Sequence, residues 1–304
     1  MPNWSGGACD YIRVRYIRRS ACLERRTEKP LRSVCGMNVT QDQLSTAVEA
    51  NLFGWLSNYG RGQDSALQSD DELALFYTGA PLPLLNGAFR ARIRKGAADE
   101  RIQSVTREFD LRGVPFAWWL GPSAEPTDLA RRLRRHGFLH LGKAQGMAAR
   151  LQDIRWENPA SRFTVRRVQT AEDLVSWSET LSRSFSLTDR ESKAWREVHR
   201  RIGLDEDSPL RHYLVFSEQR AVSTASTFLK DGVVGLYHVG TVPEARREGL
   251  ARTATIHALS DARDTGCRIA ILQSSKLGVR LYERLGFRMT SIFDVYTHRH
   301  EVTV

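Results

Sequence analysis

Residues 239–251 read Val-Gly-Thr-Val-Pro-Glu-Ala-Arg-Arg-Glu-Gly-Leu-Ala, an extended stretch that turns at Pro243 and opens onto a helix. The first N–H groups of a helix have no carbonyl partner inside it, and with the helix dipole they attract anions. Gly249 lets the backbone approach such an anion closely, Ala251 leaves the helix start uncrowded, and Arg246 and Arg247 add positive charge at the rim. The pattern predicts a cradle for a diphosphate. It is not a P-loop, since no Gly-Lys-Ser/Thr follows, nor a dinucleotide fingerprint, which needs three glycines.

Just upstream, Tyr237 and His238 are adjacent on a strand, and a regular strand sends them to opposite faces. His238 has the better intrinsic pKa, near ~6.5, for accepting a proton at neutral pH. A water relay is the alternative, and an ordinary hydrogen-bonded core histidine the plainer one. Other candidates fall away. His136 and His140 are separated by the helix-breaking Gly137, His298 and His300 sit in a polar tail, and Cys267 has no base near it. Cys9, Cys22 and Cys35 lack the close pairs that zinc needs, so no metal site is expected. Trp118-Trp119 reads as core, and Arg131, Arg132, Arg134 and Arg135 as a solvated helix face.

The surrounding text must position these groups. Helical stretches are expected at Thr40–Phe53, Ala98–Leu111, Thr127–His136, Ala171–Phe185, Asp189–Ile202, Ala251–Asp264 and Lys276–Leu285. Strands are expected at Glu72–Tyr77, Ala88–Ile93, Val114–Leu120, Phe138–Leu151, Thr164–Val168, His212–Ser217, Ala221–Lys230, Val233–Val242, Cys267–Gln273 and Arg288–Thr297. Asp231-Gly232 marks a hairpin. A linker is placed at Asp153–Ser161, around Asn158-Pro159. Leu133-Arg134-Arg135-His136-Gly137-Phe138 echoes Tyr282-Glu283-Arg284-Leu285-Gly286-Phe287, each after a strand and an earlier helix, which suggests duplication. Three segments follow: a basic leader, 1–36, with Met37 as an alternative start; a first unit, 37–152; and a second, 163–304.

Arg246-x-x-Gly249-x-Ala251 resembles the acyl-CoA loop of the GNAT acetyltransferases, Gln/Arg-x-x-Gly-x-Gly/Ala. Downstream, Ser275-x-x-Gly278-x-x-x-Tyr282-x-x-x-Gly286-Phe287 resembles the family's Asn-x-x-Ala-x-x-x-Tyr-x-x-x-Gly-Phe. The resemblance implies an α/β (α+β) GNAT fold, a mixed central sheet flanked by helices, in two tandem units with the second competent. It implies an N-acetyltransferase that moves an acetyl group from acetyl-CoA directly to a primary amine of a small molecule or peptide. Tyr282 would then be the acid for the departing thiolate, and His238 a candidate base. Thr241, Val242, Arg246, Arg247, Glu248, Gly249, Leu250, Ala251 and Ser275 would hold the cofactor, with Val239 to Val242 offering backbone to the pantetheine amides. Ser275 replaces the usual Asn, altering one polar contact. Gly278 replaces Ala, which in a helix interior costs about 1 kcal/mol. In the first unit Leu133 stands at the tyrosine position and Ile93 where the cradle needs arginine, so cofactor binding there is expected to be lost. The alternative is a non-catalytic CoA- or small-ligand-binding protein.

Charge bears on partners. The net charge is +10, and residues 1–36 supply eight Lys/Arg against three Asp/Glu, half the surplus. Elsewhere both signs are interspersed, which favours a phosphate-bearing small ligand over nucleic acid. A nucleic-acid factor using the basic leader is the third reading. The hydrophobic fraction of 41% fits a globular protein and excludes disorder. No apolar run suits a membrane span, and no secretory segment is evident. Four cysteines suggest a reducing, cytoplasmic setting. A homodimer is compatible with all of this.

Overall fold

The computed structural model describes residues 40–156 and 162–298. The basic leader with its three cysteines, both candidate starts, Asn158-Pro159 and His300 lie outside the described residues.

The first sequence half gives α1 (Gln41–Tyr59), β1 (Ala66–Ser69), β2 (Ala74–Tyr77), β3 (Gly87–Phe89), α2 (Ala98–Leu111), β4 (Ala117–Leu120), α3 (Leu129–Arg135) and β5 (Leu139–Arg150). The second gives β6 (Phe163–Arg167), α4 (Ala171–Phe185), α5 (Asp189–Ile202), β7 (Leu210–Ser217), β8 (Arg220–Lys230), β9 (Val233–Thr241), α6 (Leu250–Asp264), β10 (Ile269–Ser274), α7 (Val279–Leu285) and β11 (Arg288–Thr297). Capping boxes fix three helix starts: Thr40 with Gln43, Thr170 with Asp173, and Thr188 with Glu191. Asp231 and Gly232 both take positive φ, 51° and 75°, as a tight hairpin between β8 and β9 demands.

The strands form one mixed sheet in the order β1-β2-β3-β4-β11-β5-β10-β9-β8-β7-β6. The order is nearly symmetric about the β11–β5 pair. On one side β4 runs parallel to β3, and on the other β10 runs parallel to β9; the remaining neighbours are antiparallel. The closing strands are exchanged: β5 pairs with β10 of the other half, and β11 with β4. This is the arrangement a duplicated unit produces when each copy lends its last strand to the other.

Alternation along the strands sorts the core. Val234, Leu236, Ala270 and Leu272 pack with Leu250, Ala254 and Leu259 of α6. Val233, Tyr237, Ile269 and Ile271 point the other way, onto Val48, Leu52 and Trp55 of α1. α4 covers that second face through Trp177 and Leu181 against Leu214. The sheet is thus buried on both faces.

Two sequence expectations need correction. Edge strand β1 went unforeseen because its residues are mostly exposed and show no alternation. The last short helix starts at Val279 rather than Lys276, with Gly278 as its N-cap, so the helix-interior penalty does not apply there. A Cβ at Gly278 would stand 2.8 Å from Ser274 Oγ and 3.2 Å from the Tyr282 ring, so glycine makes room for both.

Candidate active site

β9 and β10 pair in parallel over four residues, ending at Leu236↔Leu272, and beyond that point each pairs only with its outer neighbour. The wedge between them opens into a cleft of about 780 Å³. Its floor is Val239-Gly240-Thr241, one wall is the turn into α6, and the other is the Ser275–Gly278 turn with Leu281 and Tyr282.

The turn into α6 is built by two left-handed residues, Arg247 at φ 69° and Gly249 at φ 86°. A Cβ on Gly249 would meet nothing within 4 Å, so glycine here serves the backbone conformation and an open approach. As N-cap it brings no side chain to the first-turn amides, and no acid lies in that turn. The N–H groups of Leu250 and Ala251 therefore face the cleft as anion donors. Arg246 braces the turn: Nε donates to the Thr241 carbonyl at 3.2 Å, and a terminal nitrogen to the Ser184 carbonyl at 3.0 Å.

The expected cofactor residues separate. Thr241, Arg246, Arg247, Gly249, Leu250, Ala251 and Ser275 line the cleft, as does Tyr282. Val242 is fully buried and serves the core beneath the turn. Glu248 faces outward, 3.4 Å from the Arg162 guanidinium. Tyr282 is 7% exposed, with its ring edge-on to Phe287 at 5.8 Å. Burial raises the phenol's pKa, and the adjacent Thr255 hydroxyl opposes the shift. The phenol is accordingly neutral near pH 7 and holds a proton it can donate.

His238 corrects the strand-alternation expectation. The β8–β9 register slips between Thr224 and Ser226, and His238 takes φ 52° in the resulting bulge. The bulge turns His238 to the same face as Tyr237: Trp55 stacks on Tyr237 at 4.2 Å and meets the His238 ring edge-on at 5.5 Å. His238 is outside the lining of the cleft. Its ring sits among Trp177, Trp195 and His199, with Nδ1 3.2 Å from Ser226 Oγ. Burial, and then His199, hold its pKa well below the usual histidine range. Trp195 and His199 share α5 at i, i+4 spacing, but Trp55, Trp177 and His212 come from α1, α4 and β7, so no spacing signal in the sequence could assemble the whole cluster. Among the described residues no group of His, Cys, Asp and Glu is arranged to hold a metal ion.

The first half lacks the opening. Beyond β3 and β4 the chain makes a further parallel bridge, Arg92↔Glu125, with Glu125 donating to the Ala91 carbonyl at 2.9 Å and Ile93 to the Glu125 carbonyl at 3.0 Å. Helix α2 carries Asp99 and Glu100 in its first turn, which repel an anion where α6 would attract one. Leu133 is fully buried.

Residues 174–287 match the model of the Acetyltransferase (GNAT) family. No curated protein sequence matches the chain. Among solved structures it is similar to a GCN5-related N-acetyltransferase from Kribbella flavida, with TM-score 0.67 and 18% identity over 84% of this chain and 97% of that one. It is also similar to a tandem GNAT protein from the clavulanic acid biosynthesis pathway, with TM-score 0.54 and 13% identity over 86% and 96%. A third, the GCN5-related N-acetyltransferase from Sphaerobacter thermophilus, gives TM-score 0.54 and 15% identity over 76% and 81%. Residues 174–287 are thus identified as a GNAT acetyltransferase domain, set in a fold that the chain shares with these structures.

Proposed function

We propose that this protein is an N-acetyltransferase that transfers an acetyl group from acetyl-CoA directly to a primary amine of a small molecule or peptide. One observation carries the reading: the wedge between β9 and β10 joins an uncapped, acid-free helix start to a buried neutral phenol in a single cleft. In the first half the corresponding opening is bridged and its helix start is acidic.

The residues divide the work. The amides of Leu250 and Ala251, approached across Gly249, hold the diphosphate, and Arg247 adds charge. The edge of β9 beyond Leu236 has no strand partner toward β10, so its backbone is available to the pantetheine amides as an added strand would be. Ser275 supplies a hydroxyl beside that arm. A lysine-like amine must lose a proton from a pKa near ~10.4 before it attacks; His238 is the candidate base, and because its ring lies outside the cleft the proton reaches it through a water relay. The departing thiolate, with a thiol pKa near ~8.5, takes the Tyr282 proton. The first half braces the sheet through β5 and α1 and has no cofactor of its own.

The test is calorimetry of the full chain with acetyl-CoA and with free CoA, followed by acetyl-CoA consumption across amines, amino acids, aminoglycosides and peptides. Heat with both ligands and turnover with one acceptor class support the reading. Well-folded protein that gives no heat with either ligand overturns it.

A further inference from the structure

Three imidazoles, those of the buried His199 and His212 and the half-buried His238, each have a buried Nε2 with no hydrogen-bond partner among the described residues. Their other nitrogens are engaged. His199 Nδ1 lies 2.8 Å from the Trp195 carbonyl, which can only accept, so His199 carries its proton on Nδ1. Ser226 Oγ stands between the other two rings, 2.7 Å from His212 Nδ1 and 3.2 Å from His238 Nδ1.

A serine hydroxyl has one proton, and these two nitrogens are its hydrogen-bond partners among the described residues. Every arrangement leaves one buried donor unpaired: the Ser226 proton if both rings donate to it, or the Nε2–H of whichever ring accepts from it. The shorter contact selects among them, since an O–H donor favours ~2.7 Å and an N–H donor to oxygen ~2.9–3.2 Å. On that basis Ser226 donates to His212 and accepts from His238.

We propose that Ser226 is a positioning residue that fixes His238 as the Nδ1–H tautomer and so keeps the lone pair on Nε2. The backbone agrees. A non-glycine residue held at φ 52° is strained, and here the strain is locked: the Thr224 hydroxyl donates to the His238 carbonyl at 2.7 Å. Val239, the next residue, lines the cleft. When Nε2 takes a proton relayed by water from an attacking amine in the cleft, the ring becomes an imidazolium whose Nδ1–H already points at Ser226 Oγ. No bond has to reverse. In the opposite arrangement Nε2 would carry hydrogen and could accept nothing. That Nε2 acts as a base rests on the N-acetyltransferase reading; the tautomer does not.

Long-range proton–nitrogen NMR on the full chain with 15N-labelled histidine reads the tautomers directly, with His212→Gln and His238→Gln assigning the signals. At pH 7 the expected pattern is His238 protonated on Nδ1 and His212 on Nε2. Ser226→Ala should move His238 toward the Nε2–H form, and Ser226→Thr should keep the native pattern. With whichever amine the acetyl-CoA screen identifies, Ser226→Ala should lower kcat about 10- to 100-fold, leave KM for acetyl-CoA unchanged, and be rescued by Ser226→Thr. Finding native His238 as the Nε2–H tautomer, or an unchanged His238 signal in Ser226→Ala, overturns the assignment. Should Ser226→Ala not fold, the native spectrum alone decides. A protein that binds no acetyl-CoA but shows the expected tautomers defeats the proposed function and leaves this inference standing.

Discussion

Tyr237 on β9 donates its phenolic proton to Asn51 Oδ1 on α1 at 2.8 Å, and Asn51 Nδ2 reaches the carbonyls of Phe228 and Val233 at 3.2 Å each. One buried amide from the first half therefore bonds three polar groups on the second. Asn51→Leu would leave the Tyr237 phenol unpaired and take the second hydrogen bond from two ladder carbonyls, at a cost of about 1–3 kcal/mol. A lowered urea midpoint with unchanged slope is the expected result; a midpoint equal to that of the native protein would show that water replaces the amide.

The exchanged strands make a second prediction. Ile271 of β10 sits opposite Ala148 of β5, which in turn sits opposite Arg288 of β11. A fragment spanning 160–304 keeps β10 and β11 but loses the strand between them and the helix over one face. It should expose ladder edges and apolar surface, and aggregate or remain unfolded. Dispersed amide NMR signals from that fragment would contradict the interlocked sheet.

Gly249 offers a sharper test of the cleft. Alanine at φ 86° costs about 1–2 kcal/mol in backbone strain but meets no neighbouring atom, so the fold survives. Its methyl would stand where the diphosphate approaches the α6 amides. Gly249→Ala should weaken acetyl-CoA binding by about 10-fold or more, on the scale of losing one or two charge-assisted hydrogen bonds. Calorimetry giving native affinity would place the phosphates elsewhere.

The cleft was legible in the sequence because its parts lie in one continuous run. The strand, turn, left-handed glycine and helix start are neighbours in the chain, and local chemistry dictates their geometry. Val242 and Glu248 fell inside that run but outside the cleft, because a turn gives each successive side chain its own direction. His238 shows where local reading stops. Alternation placed it opposite Tyr237, yet a one-residue bulge set by β8 turned both rings onto Trp55. The exchange of β5 and β11 was likewise invisible: both strands read correctly as strands, but partner choice depends on the other half of the molecule.

Tyr282 tests the chemistry apart from binding. Its phenol is neutral over the working range, since burial raises its pKa. Tyr282→Phe removes one proton and little volume, so acetyl-CoA should bind as before. Turnover should fall by about 10²–10⁴-fold, the span of general acid catalysis. Undiminished turnover would leave the thiolate protonated by water and Tyr282 a core residue.

The buried histidines give stability a pH dependence whose sign can be worked out. Burial depresses His199 from its ordinary value to about 4, and His212 and His238 are also held well below the usual range. The unfolded chain therefore binds protons that the folded one refuses, between pH ~6.5 and the folded-state values. The contribution of these groups is complete above pH ~6.5 and is lost as the pH falls toward 4. For His199 alone the difference amounts to about 3 kcal/mol. Urea midpoints should fall steeply from pH 7 to pH 4.5, and His199→Gln should flatten the slope even if it lowers stability at pH 7. A slope that His199→Gln leaves unchanged would assign the acid sensitivity to other groups.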